Sequence, residues 1–245
     1  MLALIRSEWL KIRRSVIWLL LLVSPGLAGL IGLFGVREEQ PGGPFPWLIA
    51  LALMTALHAM LFLPLLTGVY AALVCRYEHA GGGWKQLLSL PVTRTRVYIV
   101  KFLFVMGLVA LTQLLFLAVL LLIGTAKGGG GAIPWSELLG SVGRGWLACL
   151  PLAALQLAVS TAWSSFAAPL AVNVVFTIPN MLVANSADYA PYYPWVQPLL
   201  AMMPHQNGYD FGAFTLPSLT LLSVVMGSFV VFFLGGWAYF ARKAV

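Results

Sequence analysis

Acidic residues are scarce in this chain. Only 7 of its 245 residues are Asp or Glu, and charges of both signs make up 9% of it, where a soluble domain carries about 25%. So little charge cannot cover a water-facing surface. Histidine (3) and cysteine (2) are rarer still, and no HExxH, CxxC or GxxxxGK[ST] sequence occurs. Those absences leave metal catalysis, thiol redox chemistry and ATP hydrolysis on this chain without residues to perform them, so no catalytic residue, metal site or resident cofactor is expected. His58, His79 and His205 fall in a span, an inner loop and an outer loop. Cys75 and Cys149 fall near opposite membrane faces, beyond the roughly 7 Å between Cα atoms that a disulfide allows. The carboxylates Glu8, Glu38, Glu39, Glu78, Glu137, Asp188 and Asp210 all lie outside the middle of the apolar runs, which argues against a proton-coupled pump.

What the chain has instead is apolar length: 61% of its residues are hydrophobic, more than one soluble core of this size can bury. In lipid every backbone N–H and C=O must be bonded internally, which leaves helices or closed barrels. Barrel strands alternate apolar and polar residues, whereas the runs here are continuous over about 20 residues. The reading is an all-α integral membrane protein, a single transmembrane domain over 1–245. It has six spans at 16–36, 47–74, 97–123, 144–163, 167–184 and 218–240. Pro25 is an expected kink, Pro64 an expected hinge, and Lys101 is close enough to the end of its span to snorkel. Only Ser164, Ser165 and Phe166 separate the fourth and fifth spans, so they form a tight hairpin or a broken, re-entrant pair. Gly128–Gly131 is a flexible connector rather than a phosphate cradle. The apolar run after Arg14 is too long for a signal-peptide core and lacks an A-x-A-like site, which predicts a retained first span. Within the spans, His58, Gln113, Gln156, Asn173 and Asn180 are expected to hydrogen-bond between helices.

Residues 1–15 repeat Leu2, Ile5, Trp9 and Ile12 at steps of three and four, with Arg6, Lys11, Arg13 and Arg14 mostly off that face. This is the pattern of an interfacial helix lying at the headgroups. The basic residues then set the orientation. With the N-terminus inside, Arg6, Lys11, Arg13, Arg14, Arg76, Lys85, Arg94, Arg96, Lys101, Arg242 and Lys243 face the cytoplasm, and only Arg37, Lys127 and Arg144 face outward. The positive-inside bias therefore places both termini in the cytoplasm, in a multi-pass cytoplasmic-membrane protein. The formal charge of +7 belongs to these clusters and to anionic lipid rather than to nucleic acid, whose binding would need a basic soluble face.

The inner loop 75–96 is the most informative segment. Gly81–Gly83 can turn sharply and Pro91 can stop a helix. Between them Trp84, Leu87 and Leu88 can share one face of a two-turn helix. An apolar face in a loop must be covered, either by a protein partner or by the headgroup layer. This loop resembles that of ABC-2 type transporter permeases, which carry a Glu, a Gly turn, Trp-Lys, a Leu-Leu-x-Leu-Pro run and basic residues. Here those are Glu78, Gly83, Trp84-Lys85, Leu87-Leu88-Ser89-Leu90-Pro91 and Arg94. The start, Ser7-Glu8-Trp9-Leu10-Lys11-Ile12-Arg13-Arg14, is also similar to that family, and size and texture resemble its bacitracin and lantibiotic self-protection subgroup. The resemblance implies that 83–90 is a coupling helix seated on a separate ATP-binding subunit, which would carry ATP and Mg. It also implies a second permease chain, identical or related, and a bacterial exporter of hydrophobic or amphipathic substrates such as antimicrobials. A non-transporting membrane anchor and an integral membrane lipid-modifying enzyme are the alternatives from other classes.

Residues 185–217 are rich in proline and aromatics and hold no Lys or Arg. They read as an outer aromatic belt, and the resemblance implies short re-entrant helices here. A sharper alternative makes Asp188, Asp210, Tyr192 and Trp195 a mouth for an amphipathic, cationic substrate.

Overall fold

A computed structural model describes residues 2–13, 15–36, 45–80, 82–89, 91–127, 132–204, 214 and 217–243. The arrangement is helical, and five helical stretches are long and apolar enough to cross a membrane: Ile17–Gly35, Trp47–His79, Arg94–Ala126, Trp135–Ala162 and Ser218–Arg242. In chain order the helices are α1 (Leu2–Ile12), α2 (Ile17–Gly35), α3 (Trp47–Leu57), α4 (Leu63–His79), α5 (Gly83–Ser89) and α6 (Arg94–Ala126). They continue with α7 (Trp135–Ala148), α8 (Leu150–Ala162), α9 (Ala167–Thr177), α10 (Asn180–Ala184), α11 (Gln197–Met202) and α12 (Ser218–Arg242). α2 packs along α6, α4 along α8, and α8 along α12.

Prolines decide where the long stretches bend. Pro64 has no N–H to give to the carbonyl of Met60, four residues back. The chain answers with a π-helical turn at His58–Phe62 between α3 and α4, and the Asn180 side chain supplies the missing donor, bonding Met60 O at 2.7 Å. The expected hinge at Pro64 is therefore a built joint. Pro151 likewise sits in the first turn of α8, and the Cys149 N–H turns back to Trp146 O at 3.2 Å, dividing α7 from α8. Pro25, the expected kink, lies inside an unbroken α2. Thr93 starts α6 by accepting the Arg96 N–H on its side chain.

The expected fourth span, 144–163, corresponds to the later part of a longer passage, Trp135–Ala162. The expected fifth span, 167–184, is not one helix. It is α9, 11 residues, and α10, 5 residues, interrupted at Pro179, which has no N–H to give to the carbonyl of Val175 and whose ψ of 2° leaves the helical range. α9 runs antiparallel to α4: the Arg76 guanidinium lies 5.5 Å from the Phe166 ring, and Asn173 Nδ2 donates to Leu65 O at 2.9 Å. Contact this close requires Gly68, where a Cβ would stand 2.2 Å from Asn173 Nδ2.

α1 and the last turn of α12 lie at the same end of the bundle. Glu8 of α1 reaches Lys101 near the start of α6. Arg94 of the same helix donates to the carbonyls of Ala241, at 3.2 Å, and Lys243, at the end of α12. Cys75 and Cys149 are buried free thiols.

Candidate functional site at the charged end of the bundle

Four charges converge where α1, α4 and α6 meet. Lys101 Nζ lies 3.2 Å from Glu8 Oε2 and 2.8 Å from Glu78 Oε2, and Lys11 Nζ pairs with Glu8 at 2.8 Å and with Glu78. Lys101 completes its shell by donating to Val74 O at 2.8 Å. Two carboxylates and two ammonium groups make a neutral cluster, which lets it sit out of water. Lys101 is 1% exposed and Glu8 and Glu78 3% each. Burial opposes the charge on Lys11, but the hydrogen bonds it donates to Glu78 and Glu8, with the attraction of their charges, outweigh it and raise its pKa above the ordinary lysine value. These are the ion pairs among the described residues.

The snorkelling expected of Lys101 does not occur, because the carboxylates come to it. α1 reaches in with Leu4, Glu8 and Ile12, one helical face, and leaves Ile5 and Trp9 exposed. The apolar stripe seen in the sequence is thus divided between the bundle, through Ile12, and the surroundings, through Ile5 and Trp9. The sequence signals for this cluster are Glu8 and Lys11 at i, i+3 and a lone lysine inside an apolar helix.

α5 follows directly on this cluster. Gly82 makes the turn with φ 75°, a left-handed value that favours glycine. Trp84, expected on a partner-facing surface, is 7% exposed and points into the bundle. Its indole donates to His79 Nδ1 at 3.2 Å, its ring lies 5.1 Å from that of Phe240, and Lys101 Nζ is 5.5 Å away. His79 in turn bonds Ser160 O at 2.7 Å. Leu87 packs against the core, partly buried, and Leu88 is partly buried too. Lys85, Gln86, Ser89 and Pro91 are exposed, and Leu90 lies outside the described residues. The expected set therefore divides. Glu78, Trp84 and Arg94 fasten the segment to α1, α6 and α12, while Lys85, Gln86 and Ser89 form its outward face.

The polar residues within the spans bond one another. His58 Nδ1 is 2.6 Å from Ser24 Oγ and Nε2 is 3.2 Å from Gln113 Oε1. With Gln113 accepting, the Nε2 of His58 carries the proton and its Nδ1 accepts from Ser24. Gln156 donates to Asn173 Oδ1 at 3.2 Å.

At the opposite end, Trp195 is 5% exposed, and its indole donates to Asn173 Oδ1 at 2.8 Å. Asp188 and Tyr192 are exposed, and Asp210 lies outside the described residues. α11 is buried along its length and enters the bundle, with Met202 O accepting from Ser141 and Ala201 O from Arg144 Nε at 3.0 Å.

No curated protein matches the chain. A family model described as ABC-2 family transporter protein matches residues 4–180, a stretch that takes in most of α1, α5 and all four members of the charge cluster. With that match spanning well over half of its length and five helices able to cross a membrane, the chain belongs to the ABC-2 transporter family as a multi-pass membrane protein.

Proposed function

We propose that this chain is the transmembrane permease subunit of an ATP-driven ABC-2 exporter for hydrophobic or amphipathic compounds, antimicrobials among them. ATP hydrolysis belongs to a separate ATP-binding subunit, and a second permease chain, identical or related, completes the pathway. The observation that carries this reading is the fastening of α5. A loop helix held by its Trp84 to α12, and following directly on the end of α4 that Glu78 ties to α1 and α6, is built to pass force into the bundle, which a passive loop has no need to do. Its exposed Lys85, Gln86 and Ser89 are the surface offered to the partner. The alternatives of anchor and lipid-modifying enzyme give this fastening no role.

In this reading the charged end is cytoplasmic, following the distribution of Lys and Arg. The sixth crossing is made by α9 and α10 together, whose 18 positions from 167 to 184 extend about 27 Å at helical rise. With α1 and the last turn of α12 at one end of the bundle, an even number of crossings is supported. The test is Lys85→Glu combined with Ser89→Glu, which turns the outward face of α5 acidic without touching its buried side. The double variant is expected to insert and fold normally and to retain the ATP-binding subunit about ten-fold less well on co-purification. Unchanged retention and unchanged ATP turnover would refute the assignment of α5.

A further inference from the structure

The end of the bundle away from the charge cluster holds an arginine whose hydrogen-bonding capacity is only partly used. Arg144 Nε donates to Ala201 O, but its Nη2 is buried without a partner. None of the ion pairs among the described residues involves it. The side chain lines a cavity of about 240 Å³ between α7, α11 and α12. The other walls are apolar, chiefly Leu147, Ala148, Leu219, Leu222 and Val225. Leu219 and Leu222 are also exposed, at 76% and 42%, so on a spanning helix the cavity opens sideways toward lipid.

Depth is fixed by the helices. Ser218, on the cavity wall, is the first residue of α12, whose 25 residues extend about 37 Å from the charged end at helical rise. Arg144 stands 18 residues ahead of Ala162, the end of its own passage, or about 27 Å at helical rise, against a hydrocarbon layer about 30 Å thick, which sets the guanidinium near the far boundary of that layer. A fork of N–H donors at that level, above an apolar wall running inward, is complementary to a phosphate with acyl chains below it. A free phosphate would find one cation and a greasy wall.

The geometry points to this cavity as a binding site for an anionic membrane lipid, its phosphate on Arg144 and a chain lying along Leu219, Leu222 and Val225. This goes beyond the exporter reading, since it requires only that the chain sit in a bilayer, and a failed ATPase test leaves it intact.

The test uses the full chain, equilibrated in vesicles of equal phosphatidylglycerol and phosphatidylcholine, extracted gently, and weighed with its retained lipids by native mass spectrometry. One cation at a headgroup predicts about a five-fold preference for phosphatidylglycerol. Arg144→Gln should abolish the preference and Arg144→Lys should keep part of it. Leu222→Trp, which fills the cavity and leaves the arginine, should lose it too, so that the result does not depend on one variant folding. Excess inorganic phosphate should leave the retained lipid in place. An unchanged preference in Arg144→Gln and Leu222→Trp, or displacement of the lipid by inorganic phosphate, would overturn the assignment.

Discussion

Lys101→Met takes away the cation on which both buried carboxylates converge, while keeping an unbranched side chain of similar length. The variant loses ion pairs at 3.2 Å to Glu8 and 2.8 Å to Glu78 and the bond to Val74 O. It leaves two carboxylates to share Lys11. Removing one partner from a buried ion pair costs about 3–5 kcal/mol. Lys11 still touches both acids, so the lower end, about 3 kcal/mol, is expected here. Equilibrium unfolding in mixed micelles by increasing SDS fraction, followed by tryptophan fluorescence, reads this loss. Because α1 is held largely through Glu8 and Lys11, limited proteolysis should also cut within α1 at lower denaturant than elsewhere. The decisive comparison adds Glu78→Gln, which discharges the stranded acid. The double variant should recover more than about 1 kcal/mol relative to the sum of the singles. Additive losses, or a Lys101→Met protein as stable as the parent, would refute the view that this cluster locks α1 to α4 and α6.

Two further perturbations address the joint at Pro64. Asn180→Leu leaves the Met60 carbonyl without its donor inside the bundle and should cost about 1–3 kcal/mol in the same unfolding assay. Gly68→Ala would set a Cβ 2.2 Å from Asn173 Nδ2 and should cost about 1–3 kcal/mol by overpacking. Adding Asn173→Ala to it should cost less than the two separate losses predict, since the clash disappears with the amide.

The spans were legible because lipid imposes one requirement everywhere, a long apolar helix, and the runs around 16–36, 97–123 and 218–240 satisfy it without help from neighbours. The fifth span was harder to read because apolar length does not distinguish a helix from two fragments. The interruption at Pro179 and the bonds of Asn180 to Met60 O and Trp195 O decide that case, and they depend on residues distant in sequence. The same holds for the inner-loop helix α5. The pattern Trp84, Leu87, Leu88 reveals a helix with an apolar face, but whether that face meets a partner or its own bundle depends on where Phe240 and His79 arrive. Lys101 was read as snorkelling because a helix end beside headgroups is the simplest fate for a lysine. Only the return of α1 over that end brings Glu8 within reach.

The contact between Trp84 and Phe240 makes α12 a lever. Phe240 lies two residues from the charged end of a helix about 37 Å long, and the helix is fastened there to α5 and by its last carbonyls to Arg94. A tilt of about 5° imposed at that end would carry Ser218 about 3 Å sideways, by the same helix length. Ser218, Leu219 and Leu222 form one wall of the cavity at Arg144, so a displacement of α5 too small to unpack the bundle would still open or shut that cavity on the far side of the membrane.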